Sequence, residues 1–207
     1  MMLIDLTARD FTAAVASDSP APGGGSVAAY AGACGAALLA MVCRLSRCGG
    51  GPGDTPMDQL LALAEKKRSE LEKLVDEDTA AFNRVMDALR LPKETPGEKS
   101  KRREALTEAN FLAAGVPLRT AAVCAGLLAK VSWLMEEGNQ NALSDAAVAL
   151  ECLHAACRGA CYNVRINLGG LVPSEKKGSL VQEINNIETQ AEKYYRQARE
   201  MLTQKGL

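Results

Sequence analysis

The sequence predicts an all-α protein, a bundle of long helices forming a single domain. No stretch shows the period-two alternation of a half-buried strand. "TPMD" and "TPGE" each spell out a helix start, and apolar residues return at steps of three and four over long spans. At 207 residues, 47% hydrophobic and 24% charged, the chain can bury a real core and sits near the ordinary globular balance.

The first element is a short helix over residues 7–16, with Thr7 as N-cap. "SDSPAPGGGSVAAYAGACGAALLAMVC" follows, from Ser17 to Cys43, a proline- and glycine-rich turn running into an uncharged helix. That helix is expected to begin near Ser26, whose hydroxyl can cap the free N–H groups of the first turn. It is small on nearly every side (Ala28, Ala29, Gly32, Gly35, Ala36), which suits a central helix gripped by others. Its length would span a bilayer, but prolines and glycines fill its first third and no second such segment accompanies it, so no membrane partner is expected. Gly49–Gly53 reads as a loop. Thr55, Pro56 and Asp58 open a third helix lasting to about Leu91. Thr95, Pro96 and Glu98 open a fourth, ending near Gly138 and interrupted at Pro117, where a kink is expected. The fifth runs from about Ser144 to Leu168 and stops at Gly169 and Gly170. Ser179 and Gln182 form a possible capping box for the last, to about Gln204. Its stripe Ile184, Ile187, Ala191, Tyr194, Ala198 packs within the subunit or across a dimer.

A formal net charge of −1 gives no reason to expect nucleic acid as a partner. The basic runs "EKKRSELEK" and "EKSKRRE" interleave acids at helical distances, so pairing along their own helices is expected. Seven cysteines, an odd number without CxxC spacing or a preceding signal-peptide pattern, point to free thiols, small core residues and a cytoplasmic location. His154 shares a face with Cys157, Cys161 and Val164, where packing is a commoner role than metal binding.

The third helix holds the most informative position. Leu71, Val75, Phe82, Val85 and Leu89 mark its apolar stripe, and the member expected between Val75 and Phe82 is Asp78. Burying a carboxylate costs several kcal/mol unless it is paired or its pKa rises, so Asp78 either belongs to a polar network or titrates for a purpose. Asp76 is turned roughly 200° away and belongs to the solvent face. The glycine turn lacks the GK[ST] of a phosphate loop and any preceding strand, so it fits no nucleotide fingerprint. Glycine N–H groups and Ser26 at a helix N-terminus can still grip a carboxylate or a polar ring edge.

"SDSPAPGGGS", "VDEDTAAFNRVMDALRLPKETPGEK", "VPL", "GNQNALSDAAVA" and "YNVRINL", in this order, resemble the cyclodeaminase/cyclohydrolase family of folate enzymes from Leu6 to about Leu171. The resemblance implies an all-α homodimer acting on tetrahydrofolate one-carbon adducts without metal or organic cofactor. It implies Asp78 of "DEDTAAF" as the catalytic acid–base, with Thr79 where alanine is usual. It also implies a substrate site drawn from Pro22, Gly23, Gly24, Gly25, Ser26, Asn139, Ser144, Asp145, Asn163 and Asn167. By the same resemblance, relatives often carry a Lys- and Tyr-containing stretch after the second helix. This chain has "RLSRCGGGPGDTPM" there, so Arg44 or Arg47 is a candidate for the folate glutamate tail. A formiminotransferase half has no room in 207 residues. The expected reaction is cyclodeamination of 5-formiminotetrahydrofolate to 5,10-methenyltetrahydrofolate and ammonia. The alternatives are hydrolysis of the methenyl compound to 10-formyltetrahydrofolate, and a non-catalytic folate-binding or assembly protein in which Asp78 is only a hydrogen-bond partner.

Overall fold

Local capping codes start most of the helices. In the computed structural model, which describes residues 2–47 and 55–207, Thr7 Oγ1 accepts from Asp10 N at the head of α1 (Ala8–Val15). Reciprocal boxes, Thr55 with Asp58 and Thr95 with Glu98, head α3 (Pro56–Leu89) and α4 (Pro96–Glu137), each with proline in the first turn. α2 (Gly24–Leu45), α5 (Leu143–Gly169) and α6 (Glu175–Gln204) complete the set, with 3₁₀ turns at Leu3–Asp5 and Gln140–Ala142. The described residues contain no strand, and the expected Gly49–Gly53 loop lies outside them.

Four expectations change. α2 is capped by Gly23 without a side-chain bond and begins two residues early, so Ser26 sits inside its first turn. α6 begins at Glu175 because Ser174, just after Pro173, caps Lys177 N, and Ser179 and Gln182 lie inside the helix. Asp76 does not face solvent: its carboxylate accepts from Leu3 N at 2.5 Å and Ile4 N at 3.3 Å, pinning the N-terminal turn. α4 runs unbroken through Pro117.

Proline has no N–H, so the carbonyl four residues back, Ala113 O, loses its helical partner. Asn167 Nδ2 on α5 donates to it at 2.8 Å. A side chain from the neighbouring helix thus repairs the ladder.

α2 is the central helix. Ala29, Ala36, Leu39, Ala40 and Cys43 are fully buried, and a Cβ on Gly35 would sit 2.8 Å from Leu153 Cγ, so α2 and α5 come close. Against the expectation that α2 is the only segment long and apolar enough to cross a membrane, a stretch of α4 matches it by length and composition; 61% of each apolar window is buried inside the bundle, as in core helices. Gly24 lies against Asn163 and Gly35 against Ala149 and Leu153, so α2 and α5 are antiparallel. α4 runs antiparallel to α3, where Arg119 pairs with Glu77 at 2.6 Å and Arg102 bonds Leu89 O, and to α5. α6 packs Ile184, Ala191, Ala198 and Leu202 into the same core, so its stripe is used within the subunit. His154 stacks on Tyr195 with centroids 3.7 Å apart, and its Nε2 lies 3.0 Å from Glu192, tying α5 to α6. Cys43, Cys124, Cys157 and Cys161 are buried as expected, whereas Cys34 is exposed and Cys152 half-exposed.

Those two thiols mark a face. Val27, Ala31, Cys34, Leu38, Met41 and Leu45 on α2, and Val148, Cys152, Ala155, Gly159, Tyr162 and Ile166 on α5, follow steps of three and four. Each stripe is turned about 95° from the α2–α5 contact, to the same side, by the ~100° per residue of a helix. Neither stripe carries a charge, and Ile166 is 74% exposed.

Candidate active site

The head of α2 and the middle of α3 build one polar cluster inside this apolar bundle. Gly25 lacks a Cβ where the Asp78 carboxyl lies: an added one would be 2.5 Å from Asp78 Cγ. Only glycine lets the acid seat against the first turn of α2, whose N–H groups have no helical acceptor. Ser26 is fully buried and its Oγ donates to Val75 O at 2.8 Å. The same oxygen is 3.3 Å from Asp78 Oδ2 and 3.2 Å from Thr79 Oγ1. Thr79 thus joins the cluster, a role its sequence position did not announce. A hydroxyl beside a carboxyl three residues from its other acceptor can serve both charge states. With Asp78 ionised, Ser26 can turn its proton to the carboxylate; with Asp78 protonated, the acid can donate to Ser26 while Ser26 holds Val75 O.

Burial pushes the Asp78 carboxyl above its ordinary value, and the Ser26 hydroxyl and Ser26 N–H pull against that without cancelling it. The group is half-buried, so the acid is neither locked in one form nor fully hydrated. Neighbouring Glu77 points elsewhere, to Arg119.

The predicted site residues fall into two groups. Pro22, Gly23, Gly24, Gly25 and Ser26 gather at the head of α2 with Asp78, and Gly24 is exposed. Asn163 joins them: a Cβ on Gly24 would meet its Nδ2 at 3.4 Å, while that Nδ2 donates to Gly159 O at 2.8 Å. Asn167, one turn on, spends a donor on Ala113 O. Asn139, Ser144 and Asp145 sit at the other end of the bundle. Asn139 N donates to Ser46 Oγ at 2.8 Å and its Nδ2 to Leu45 O at 3.1 Å, at the tail of α2. Asp145 is eighteen residues from Asn163 on α5, about 27 Å of helix. Arg44 and Arg47 are at that far end too, engaged with Glu65 and Asp58. No group of three His, Cys, Asp or Glu side chains among the described residues is placed to hold a metal.

Comparison with known proteins agrees with this architecture. The family model described as formiminotransferase-cyclodeaminase matches residues 7–186. A methenyltetrahydrofolate cyclohydrolase from Methylorubrum extorquens is 38% identical over 167 residues, 80% of each chain. The formimidoyltransferase-cyclodeaminase of Mus musculus is 36% identical over 187 residues, 89% of this chain but 35% of that protein. The crystal structure of formiminotetrahydrofolate cyclodeaminase from Thermotoga maritima superposes with a TM-score of 0.86 at 30% identity, covering 98% of both chains. With that match in sequence and in fold, the chain belongs to the formiminotransferase-cyclodeaminase family.

Proposed function

We propose that this protein is a tetrahydrofolate one-carbon enzyme, a formiminotetrahydrofolate cyclodeaminase, in which Asp78 moves the protons. The observation that carries the reading is the Asp78–Ser26–Gly25 cluster, where a half-buried acid of raised pKa has a hydroxyl able to serve both its charge states. N10 attacks the formimino carbon of 5-formiminotetrahydrofolate and the new C–N10 bond makes a tetrahedral centre. Asp78 takes the N10 proton and delivers it to the exocyclic nitrogen. The formimino group, an amidine, already carries the other proton needed. Ammonia then leaves as the exocyclic C–N bond breaks, giving the 5,10-methenyl cation. Such a shuttle is worth about 10²–10⁴-fold, and works best with a pKa near the operating pH. The T. maritima cyclodeaminase, matched over 98% of both chains, supports this choice.

The second reading is hydrolysis of the methenyl bridge, favoured by 38% identity to the M. extorquens cyclohydrolase. There the same carboxylate would take a proton from water adding at the bridge carbon and give one to N5 as C–N5 opens; a second proton goes to solvent. The protein should be given 5-formiminotetrahydrofolate and, separately, 5,10-methenyltetrahydrofolate, with methenyl absorbance and ammonia both followed. Growth of the methenyl signal with stoichiometric ammonia is expected. Decay of that signal to the 10-formyl product would instead establish the hydrolytic reading, and silence with both substrates would remove the enzyme.

The working unit in this reading is a homodimer joined through the uncharged α2–α5 face. A two-fold axis lying across the helices brings the partner's opposite end over the Asp78 end, because α2 and α5 each reverse. Asn139, Ser144 and Asp145 of one subunit then complete the site of the other. The substrate is the only small-molecule partner required, in a cytoplasmic protein without a resident cofactor.

A further inference from the structure

Threonines inside the helices of this bundle behave alike, with one exception. Thr12, Thr107, Thr120, Thr189 and Thr203 each turn the hydroxyl back to the carbonyl four residues earlier on the same helix. Thr79 does not. The carbonyl four residues before it, Val75 O, accepts from Ser26 Oγ at 2.8 Å, and Thr79 Oγ1 lies 3.2 Å from that same serine oxygen. The local bond of a helical threonine is exchanged here for one that crosses from α3 to α2, beside Asp78.

Protons and lone pairs fix the direction of that contact. Ser26 has one proton to give and two lone pairs to fill. Its proton goes to Val75 O, or to Asp78 Oδ2 at 3.3 Å when the carboxyl is ionised. In either charge state it is engaged, so Thr79 is the donor and Ser26 Oγ the acceptor. Thr79 Oγ1 has no other hydrogen-bond partner among the described residues. With the acid ionised, donation from Thr79 polarises the Ser26 O–H and strengthens its bond to the carboxylate. With the acid protonated, Thr79 already fills one lone pair of Ser26 Oγ, and the acid must share that oxygen as a second donor. Both effects favour the ionised form.

We propose that Thr79 is a positioning residue for proton transfer at Asp78: by donating to Ser26 Oγ it turns the serine hydroxyl toward the carboxylate and makes the acid easier to ionise. The proposal rests on the reading of Asp78 as the proton carrier. Charged side chains near the cluster are engaged elsewhere, Asp76 with Leu3 and Ile4 N and Glu77 with Arg119 of α4. Tyr30, the first titratable side chain of α2, packs on Phe11 of α1 with ring centroids 5.0 Å apart, and α5 contributes the uncharged Asn163. Burial pushes the Asp78 carboxyl up while the Ser26 donors pull it down, and Thr79 adds to their pull.

The test compares Thr79→Val, which keeps the branched shape without the hydroxyl, and Thr79→Ala with Thr79→Ser, which keeps the hydroxyl. The Asp78 pKa is read directly by NMR titration of isotope-labelled aspartate, assigned with Asp78→Asn. It is read again from the acid limb of kcat/KM for whichever tetrahydrofolate adduct is turned over. Both hydroxyl-free variants should raise the Asp78 pKa by about half a pH unit, and the acid limb should move up with it, about a threefold loss there. Thr79→Ser should return both toward wild-type values. An Asp78 pKa unmoved or lowered without the hydroxyl, an equal shift in Thr79→Ser, or an acid limb that stays put while the pKa moves would each overturn the proposal. The NMR titration needs no turnover. A protein that converts neither adduct but shows the shift loses the proposed reaction and keeps the Thr79 relay, so the two failures are told apart.

Discussion

Asp78 stands between two opposing influences, burial that raises its pKa and the Ser26 donors that lower it. Burial wins, and the consequence for stability has a definite sign. Below the ordinary carboxylate pKa the acid is protonated in both folded and unfolded chains, and it costs nothing. Between that value and the raised one, the folded chain keeps a proton that the unfolded chain has released, so stability falls as pH rises. Above the raised value the full cost is present. Asp78→Asn mimics the protonated acid, since its amide can donate to Ser26 Oγ while its oxygen accepts from Ser26 N–H. At pH 7.5 the variant should melt above the wild type, because it lacks the charge that burial opposes. The difference should shrink toward zero near pH 4, and turnover should drop at least ~100-fold. Paired thermal scans across that pH range check it. A variant less stable at pH 7.5 would show that the head of α2 stabilises the anion more than burial opposes it.

At the scale of the helix, the Pro117 repair makes a quantitative claim about two elements. Removing Asn167 leaves Ala113 O buried without a partner, which costs about 1–3 kcal/mol. Asn167→Ala should therefore destabilise clearly in urea titrations, but by only a few tenths of that in a Pro117→Ala background, where the helix N–H is restored. A coupling energy of ~1 kcal/mol or more in the double-mutant cycle is expected; additive effects would assign Asn167 elsewhere. This bond also explains what could be read from the sequence and what could not. Thr7, Thr55–Asp58 and Thr95–Glu98 were legible because the capping hydroxyl and the N–H that donates to it lie three residues apart. Asp78 was legible because it interrupts a periodic stripe. Ser26 looked like a cap, but its partner is Val75 O, 49 residues away, and Asp76 reaches back 73 residues to Leu3. Asn167, a candidate for holding substrate, donates to a carbonyl 54 residues distant, a role its sequence position did not announce. Local codes are written in neighbouring residues; a hydrogen bond across the bundle exists only once the helices have packed. The run "EKSKRRE" was expected to pair along its own helix, but Glu98 accepts from Thr95 N and Glu104 from Ser100 Oγ, and no ion pair forms within it.

For the whole molecule, the antiparallel course of α2 and α5 separates the signature residues into two ends, and the proposed dimer reunites them. Sedimentation should give a dimer, and Ile166→Asp, a charge in the middle of the uncharged face, should yield folded monomers with little activity. Mixing supplies the sharper check. Asp78→Asn and Asp145→Asn subunits, each inactive as a homodimer, should recover roughly a quarter of wild-type activity when unfolded and refolded together, because half the molecules are mixed and each has one intact site. No recovery, with mixed dimers demonstrated, would confine the site to one subunit. The seat of Asp78 carries a consequence for descent as well. A side chain at position 25 cannot coexist with the acid in its present place. A lineage that retired the carboxylate would be free to drift at position 25, so the two positions read together record whether the chemistry is still in use.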